Sequence, residues 1–383
     1  MKKLIALLLC VVCLAQSAFA ASPAESARDL ALSAVSGQKL LAGVSGELLA
    51  QGEDFPAGTS VCDWTAIAFA LLGAEDGAED GAAYLAAENE YISANFPLPA
   101  SGRAPVATDW QRAALTVRAL GGDPTACGTD GSVDLIAGGV YDYAGDSLGM
   151  QGLNGWIFAL IALDCGGYEV PKGSLYTRED ILNEILSAQE PDGGFGLVSG
   201  ASDTDITAMA VQALAPYADG EAASAVDAAL AWLAAQMTEE CLFAYWGQPS
   251  AESSAQVVIA LCSLGIDPAE DERFAKNGTN ALEALCNTYR RADGSYAHTP
   301  EDERGDFMAT EQVMLAFTAL WKLRSGAGRL YDMTAVPQTA VETAPEKAPA
   351  GTPWLTVILC LAAAAVAVVV IVVMCRKKKE KRA

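Results

Sequence analysis

The feature that most constrains the fold of this chain is a repeat, in which two kinds of helical segment alternate with Gly-, Pro- and Asp-rich breaks. One kind is mostly small and apolar and covers residues 64–72, 110–120, 156–163, 205–214, 254–264 and 311–323. Successive segments of this kind start 46 to 57 residues apart. The other kind is amphipathic and lies at 24–40, 82–95, 134–143, 179–189, 222–236 and 281–291. Two helices per unit at a nearly constant period indicate a helical repeat protein.

Six pairs of such segments, without convincing strand patterns, predict an all-α fold. A helix that is apolar nearly all round must be covered on every side, whereas a one-sided helix faces water along its polar stripe. We therefore expect an (α/α)6 toroid, a closed double ring of six inner and six outer helices. An open solenoid, in which the inner helices line a concave surface, is the alternative.

The two ends of the sequence predict export and membrane anchoring. Residues 1–20 have a basic start, an apolar run and an A-x-A site, the pattern of a cleaved signal peptide. Residues 354–375 are uncharged and long enough to cross a bilayer as one helix, and the basic tail 376–383 places their far end in the cytoplasm. Residues 334–353, rich in Pro, Thr and Ala, predict a stalk. We expect a single-pass, type I protein of the cell membrane with the toroid, residues 21–333, outside.

Charge and histidine content argue against two classes of function. The formal net charge is −24, whereas proteins that bind nucleic acids need a basic face to neutralise phosphates. The one histidine, His298, rules out a zinc site with several His ligands and leaves one residue for any Ser-His-Asp triad. His298 lies in a turn, where we expect a solvated side chain. The sequence predicts no metal site and indicates neither a particular cofactor nor a particular protein partner.

Two turns resemble a known family. Residues 189–196, Gln-Glu-Pro-Asp-Gly-Gly-Phe-Gly, resemble the Q-x-x-D-G-G-[FW] turn of the prenyltransferase and squalene-cyclase repeat, and residues 291–296 are a weaker copy. The stretches 203–217 and 308–312 resemble inner helices of bacterial cell-surface proteins that carry such repeats. The resemblance covers roughly residues 60–333 and implies a toroid of the terpenoid-cyclase type. It does not fix a function, because one toroid serves cyclases, protein prenyltransferases, cobalamin carriers and complement-type domains.

The first turns of the inner segments supply the candidate binding site. Inner helices of such a ring run parallel, so these side chains should meet at one mouth of the barrel. An acidic mouth rimmed by tryptophans suits a small cationic, hydroxylated or aromatic ligand, including a glycan. The candidate ligand-binding residues are Asp63, Trp64, Asp109, Trp110, Asn154, Trp156, Asp203, Asp205, Glu252 and Glu311. Helix capping is the alternative explanation for the acidic ones, and Ser202-x-x-Asp205 has the pattern of a capping box.

Two kinds of chemistry can be read from the same carboxylates. Residues 203–207 resemble the D-x-D-D-T acid motif of class II terpene cyclases, in which Asp205 matches the proton donor and an isoleucine replaces the third Asp. If the protein is an enzyme, Asp203 and Asp205 are the catalytic candidates. The zinc ligands of protein prenyltransferases have no counterpart. A carboxylate-only site of Asp203, Asp205, Glu252 and Glu311 can instead hold calcium or act as a glycosidase acid–base pair.

Three functions therefore stay open. A membrane-anchored module that binds a small ligand or glycan is the main prediction, and we lean against catalysis because the cyclase acid motif is incomplete. A cyclase-like or carboxylate-dependent hydrolytic enzyme is one alternative, and a surface scaffold without a small-molecule ligand is the other. The six cysteines of the predicted outer domain permit up to three disulfides, but we expect mostly free, buried thiols. They are Cys62, Cys127, Cys165, Cys241, Cys262 and Cys286.

Overall fold

The computed structural model describes residues 23–50, 52–73, 77–96 and 105–338. The helices are α1 (Pro23–Leu41), α2 (Ser60–Leu72), α3 (Gly77–Asn95), α4 (Ala107–Ala119), α5 (Asn154–Cys165), α6 (Arg178–Ser187), α7 (Thr204–Leu214), α8 (Ala223–Gln236), α9 (Ala251–Ser263), α10 (Ala281–Thr288) and α11 (Phe307–Ser325). The strands form two short hairpins, β1 (Ala244–Tyr245) with β2 (Gln248–Pro249) and β3 (Ala275–Lys276) with β4 (Thr279–Asn280).

The predicted membrane-related segments fall outside this part of the chain. The signal peptide 1–20, the membrane span 354–375, the tail 376–383 and most of the stalk 334–353 lie outside the described residues. Within the described ranges, no helix combines the length and the apolarity that a membrane span requires.

Six helices close into an inner ring. α2 packs against α4, α4 against α5, α5 against α7, α7 against α9 and α9 against α11, and α11 returns to α2. Burial agrees with this position, because every residue of α9 except Glu252 is buried. The contact between α11 and α2 closes the ring, so the open solenoid is not the architecture. The described residues are mostly helical, as the repeat predicts.

The outer layer consists of α1, α3, α6, α8, α10 and one π-helical turn, Ala137–Tyr141. α1 packs against α11 and α2, α3 against α2 and α4, and the π-helical turn against α4 and α5, whereas α6, α8 and α10 pack against α5, α7 and α9. The sequence predicts a longer helix at 134–143. Here the chain runs close over Trp110, and a Cβ on Gly138 would lie 2.4 Å from that indole ring.

A repeated contact fastens three inner helices, α7, α9 and α11, to the loops before them. A buried aromatic residue precedes the helix, and its backbone N–H donates to a hydroxyl four residues after the helix N-cap. The pairs are Phe195 with Thr207 (2.8 Å), Phe243 with Ser254 (3.3 Å) and Tyr296 with Thr310 (2.9 Å). This position therefore faces the loop and the outer layer. Asp63 and Trp110 occupy it in α2 and α4, four residues after the N-caps Thr59 and Val106.

The 189–196 turn is a structural element of the repeat. The Gln189 side-chain amide donates to the carbonyl of Ala225, in the first turn of α8, at 2.8 Å. The Asp192 carboxylate accepts from the indole N–H of Trp232 at 2.9 Å, on the same outer helix. The motif that carries the family resemblance thus holds an outer helix against the ring, and its side chains serve the fold.

The six inner helices begin at the same end of the ring, which is the mouth. Hydrogen bonds join segments that precede neighbouring inner helices. Leu153 N–H donates to the carbonyl of Leu197 (2.9 Å), and Ala251 N–H donates to that of His298 (3.0 Å). The chain leaves the ring at the other end, where Met333 N–H donates to the carbonyl of Cys165 (2.9 Å).

Candidate functional site

Asp63 is a buried structural group. Its carboxylate accepts hydrogen bonds from Arg112 Nε (2.9 Å), the Tyr84 hydroxyl (2.8 Å) and Gly58 N–H (3.0 Å), and the residue has no exposed surface. Burial raises the pKa of Asp63, and Arg112 opposes that shift. The carboxyl of Glu88 is equally buried beside this group, and burial and the Asp63 charge raise the pKa of Glu88 well above its usual value. These carboxyls face the outer layer and are closed to a ligand at the mouth.

A cavity of about 250 Å³ opens at the mouth between α2, α4 and α5. It is lined by Ser60, Trp64, Thr108, Arg112, Gln151, Asn154, Phe158 and Leu197. The rings of Trp64 and Phe158 form its apolar wall, with centroids 5.5 Å apart. The amide oxygen of Asn154 is buried and has no hydrogen-bond partner in the described structure. The cavity therefore combines an aromatic wall with an amide side chain whose oxygen is unpaired.

Arg112 and Asp109 set the charge beside the cavity. Each nitrogen of the Arg112 side chain already donates one hydrogen bond, to Asp63, to Asp109 (3.1 Å) and to the carbonyl of Gly58 (3.2 Å). The positive charge is therefore offset within the protein, and this wall is not a site for a strongly anionic ligand. Asp109 is held by Arg112 and reaches back to Val106 N–H at 3.4 Å.

Trp110 and Trp156 do not line this cavity. Trp110 packs edge-on against Phe96, with ring centroids 4.7 Å apart, in the layer between the inner and outer helices. Trp156 packs edge-on against Tyr176 at 5.3 Å. Of the three predicted rim tryptophans, only Trp64 lines the cavity. Asn154, another predicted ligand-binding residue, lies there with it.

Asp203 caps α7. Its carboxylate accepts from Ile206 N–H at 3.0 Å, so the N-cap lies one residue later than the predicted Ser202 capping box. Ser202 donates instead to Asp192 at 2.6 Å. Asp205 therefore does not take part in capping the helix. Burial raises the pKa of Asp205 to about 7, against hydrogen bonding from Ser253 of α9, so both protonation states are populated at neutral pH.

Glu252 is held by the one histidine of the chain. His298 Nδ1 lies 2.9 Å from each carboxylate oxygen of Glu252. The hydrogen bond to Glu252 raises the pKa of His298, and burial raises the pKa of Glu252. The His298 side chain remains 51% exposed, as the sequence predicts for this turn. The pair forms because the loop before α11 packs against the first turn of α9, a contact that no local pattern reveals.

Glu311 lies deeper in the ring, beside a chain of glutamines. Its Oε1 accepts from the side chain of Gln312 at 2.6 Å, whereas Oε2 is buried without a partner in the described structure. Burial raises the pKa of Glu311 well above its usual value. The chain continues from Gln312 to Gln256 (2.5 Å) and from Gln256 to Gln212 (2.8 Å). The ring interior is therefore polar where α7, α9 and α11 meet.

The six predicted outer-domain cysteines are free thiols. Burial raises the pKa of Cys62 to about 11 and that of Cys165 to about 12, so these thiols are unreactive at neutral pH. Within the described ranges, no group of three or more His, Cys, Asp or Glu side chains is placed to hold a metal ion. Asp203 caps α7, Glu252 binds His298 and Glu311 accepts from Gln312, so these three carboxylates each have a different partner.

The ring places this chain in the class of helical toroids with a terpene cyclase-like fold. Two solved structures of the type II terpene cyclase MstE from Scytonema are similar to it. The apo form matches at 14% identity over 80% of this chain and 98% of its own, with a TM-score of 0.50. A complex of that cyclase with its substrate, geranylgeranyl dihydroxybenzoate, matches at 15% identity over 81% and 99%, with the same score.

A protein from Actinoplanes is also similar, at 16% identity over 79% of this chain and 99% of its own, with a TM-score of 0.49. No protein-family model matches the sequence, and no curated protein matches it. At these identities the likeness concerns the fold alone.

Proposed function

We propose that the protein is a binding module that takes a small, neutral, hydroxylated ligand, a sugar ring, in the cavity at the mouth. The observation that carries the proposal is the placement of the unpaired Asn154 amide beside the rings of Trp64 and Phe158. A sugar presents an apolar C–H face that packs on an aromatic ring and hydroxyl groups that pair with amides. Ligand sites combine an apolar wall with a few placed polar groups in this way.

Charge and size favour the same ligand class. Arg112 is already offset by Asp63 and Asp109, so the cavity favours a neutral molecule over an anion. At about 250 Å³ the cavity is smaller than the ~300–1,000 Å³ typical of sites for drug-sized molecules. A single ring of a glycan fits this size, with the rest of the glycan outside the mouth.

Sugar binding is tested by calorimetric titration of the full-length protein in detergent with glucose, galactose, mannose and N-acetylglucosamine. We expect at least one of them to bind with a Kd in the millimolar range. Asn154→Ala and Trp64→Phe should each weaken that binding about tenfold or more, equivalent to about 1.4 kcal/mol. Trp246→Phe is the matched control, because Trp246 is exposed and outside the cavity. Failure of every sugar to bind, or equal affinity in all variants, contradicts the proposal.

We also propose that this module is anchored at the cell surface. Support comes from the sequence patterns of the signal peptide 1–20, the span 354–375 and the basic tail 376–383. Deletion of 354–375 should move the protein from the membrane fraction into the medium. Deletion of 376–383 alone should leave it in the membrane, and retention of the first variant in the cells would refute the topology. Cell fractionation with immunoblotting measures both.

An acid-dependent enzyme is the second candidate, and Asp205 is the observation that favours it. Its pKa of about 7 keeps a protonated carboxyl available at neutral pH, as a proton donor needs. Incubation with geranylgeranyl dihydroxybenzoate tests this, because the similar cyclase takes that compound as substrate. A cyclised product that disappears in Asp205→Asn would establish the enzyme. We expect unchanged compound, and sugar binding that survives in Asp205→Asn.

A further inference from the structure

Two hairpins of the same geometry carry different residues at the same turn position. Each is closed by a two-residue turn with positive φ at both residues, Trp246-Gly247 (50° and 83°) and Asn277-Gly278 (53° and 83°). Turns of this kind favour Asn-Gly, because Asn adopts the left-handed region more readily than other side chains. A bulky aromatic residue there is an outlier. The β1–β2 hairpin therefore has tryptophan where its own backbone favours asparagine.

Trp246 does not stabilise the fold at this position. Its side chain is 87% exposed, and its ring neighbour is Tyr245, at 6.1 Å between centroids and itself 49% exposed. A residue in a strained conformation that buries almost none of its surface does not stabilise the hairpin. Strained residues of this kind cluster at functional sites, and exposed tryptophans are the side chains that most often anchor protein interfaces.

Further exposed apolar side chains lie at the mouth, in the segments that lead into other inner helices. β1 packs against α7 and α9, and the loop before α7 packs against the start of α5. We call the exposed apolar residues at this end of the ring the apolar rim. The apolar rim consists of Met150, Leu197, Val198, Tyr245, Trp246 and Met308. Leu175, 61% exposed, lies outside the apolar rim, before α6, where its N–H donates to the Asp142 carboxylate at 3.1 Å.

Acidic side chains border the apolar rim. The loop that leads into α11 carries four exposed carboxylates and one exposed arginine, which are Glu301, Asp302, Glu303, Asp306 and Arg304. This loop lies beside the β1–β2 hairpin, because Ala251, two residues after β2, donates to the carbonyl of His298. A partner that covers this surface must therefore be positively charged as well as apolar. An anionic lipid surface would be repelled, and aliphatic contacts of this kind suit a peptide better than a glycan.

We propose that the apolar rim docks a cationic amphipathic peptide segment of a partner protein, with Trp246 as the anchor. The apolar face of the segment covers the hairpin and the side chains around it, and its basic residues face the carboxylates of the loop before α11. Leu197 also lines the cavity that holds Asn154, whereas the anchor Trp246 lies outside it. Substitution of Trp246 therefore tests docking independently of sugar binding.

The test uses the full-length protein and a fluorescein-labelled amphipathic peptide of leucine and lysine, followed by fluorescence anisotropy. We expect a micromolar Kd for this peptide and at least tenfold weaker binding of the same design with glutamate in place of lysine. Trp246→Asn should weaken binding of the lysine peptide at least tenfold. It should leave the melting temperature equal or higher, because asparagine fits the turn. Leu175→Asn, the matched control outside the hairpin, should bind as the wild type does.

Three results would overturn the docking proposal. One is a lysine peptide that binds Trp246→Asn as tightly as the wild type. Another is an equal loss of affinity in Leu175→Asn, which would show binding to the acidic surface in general. The third is binding to zwitterionic phosphatidylcholine vesicles that is lost in Trp246→Asn, which would assign the apolar rim to a lipid surface.

Discussion

Arg112→Met is expected to lower the free energy of unfolding by about 3–5 kcal/mol, the cost of removing one partner of a buried ion pair. Asp63 has no exposed surface, and Arg112 is the cation that offsets its charge, at 2.9 Å. Glu88 adds a second buried carboxyl beside it. The substitution leaves Asp63 either charged without a neighbouring cation or protonated at a pH where an aspartate is ordinarily ionised. Urea unfolding at pH 7, followed by circular dichroism, measures the loss.

The matched control is Arg273→Met. Arg273 pairs with Asp271 at 2.7 Å, but its side chain is 47% exposed, so we expect a change below about 1 kcal/mol. The loss in Arg112→Met should also shrink at pH 4, where Asp63 is protonated more readily. Similar losses in the two variants, or a loss in Arg112→Met that does not depend on pH, would show that the Asp63 cluster does not stabilise the fold in this way.

The second large effect is a fall in stability as pH rises from 5 to 7.5. Burial raises the folded-state pKa of Glu88, Glu311 and Asp205. The folded protein then binds more protons than the unfolded chain between the two pKa values, so the free energy of unfolding falls with rising pH. For Asp205 the window runs from 3.8 to about 7. Each such group contributes up to about 1.4 kcal/mol per pH unit.

Carboxyls with a lowered pKa do not cancel this slope. They are ionised in both states above pH 5, so their contribution is lost only in stronger acid. His298 adds to the fall, because its raised pKa gives stability that disappears as pH rises through that value. We therefore expect the protein to be several kcal/mol more stable at pH 5 than at pH 7.5.

Chemical denaturation at a series of pH values tests this slope. Glu88→Gln and Glu311→Gln mimic the protonated side chains, so each should flatten the profile and raise the stability at pH 7.5 by about 1–2 kcal/mol. Glu184→Gln, at an exposed position of α6, should leave the profile of the wild type unchanged. A flat wild-type profile, or the same slope in all variants, would contradict the assignment.

The ring could be predicted from the sequence because its signal is repeated six times. Each inner segment is mostly small and apolar, and each observed inner helix covers almost all of the predicted segment. The prediction was less complete in the outer layer, where the segment 134–143 is helical over residues 135–141 and mostly in π-helical geometry. The close approach of Trp110 to Gly138 decides that geometry, and a sequence pattern does not show which ring a glycine lies against.

The candidate site was harder to predict. The sequence shows in which helical turn a residue lies, but it does not show towards which neighbour the side chain points. Asp63 and Trp110 belong to the first turns of their helices, yet they occupy the position that binds the preceding loop. The position of the glutamines in the ring interior could have been predicted from their spacing in the sequence. Gln212 and Gln256 follow Asp205 and Glu252 by seven and four residues, which places each pair on one helix face.

Other features of the site had no such signal. The Glu252–His298 pair and the cavity around Asn154 depend on contacts between segments that are 40 or more residues apart. The β1–β2 hairpin was missed because its strands are two residues long and its turn does not have the favoured Asn-Gly sequence.

The most direct test of the sugar site is native mass spectrometry of the full-length protein, released from detergent in the presence of the sugar that binds best in calorimetry. We expect one bound sugar per chain, an adduct that Asn154→Ala loses and Trp246→Phe keeps. A protein that retains its bare mass with every sugar, or an adduct that survives in Asn154→Ala, would contradict it.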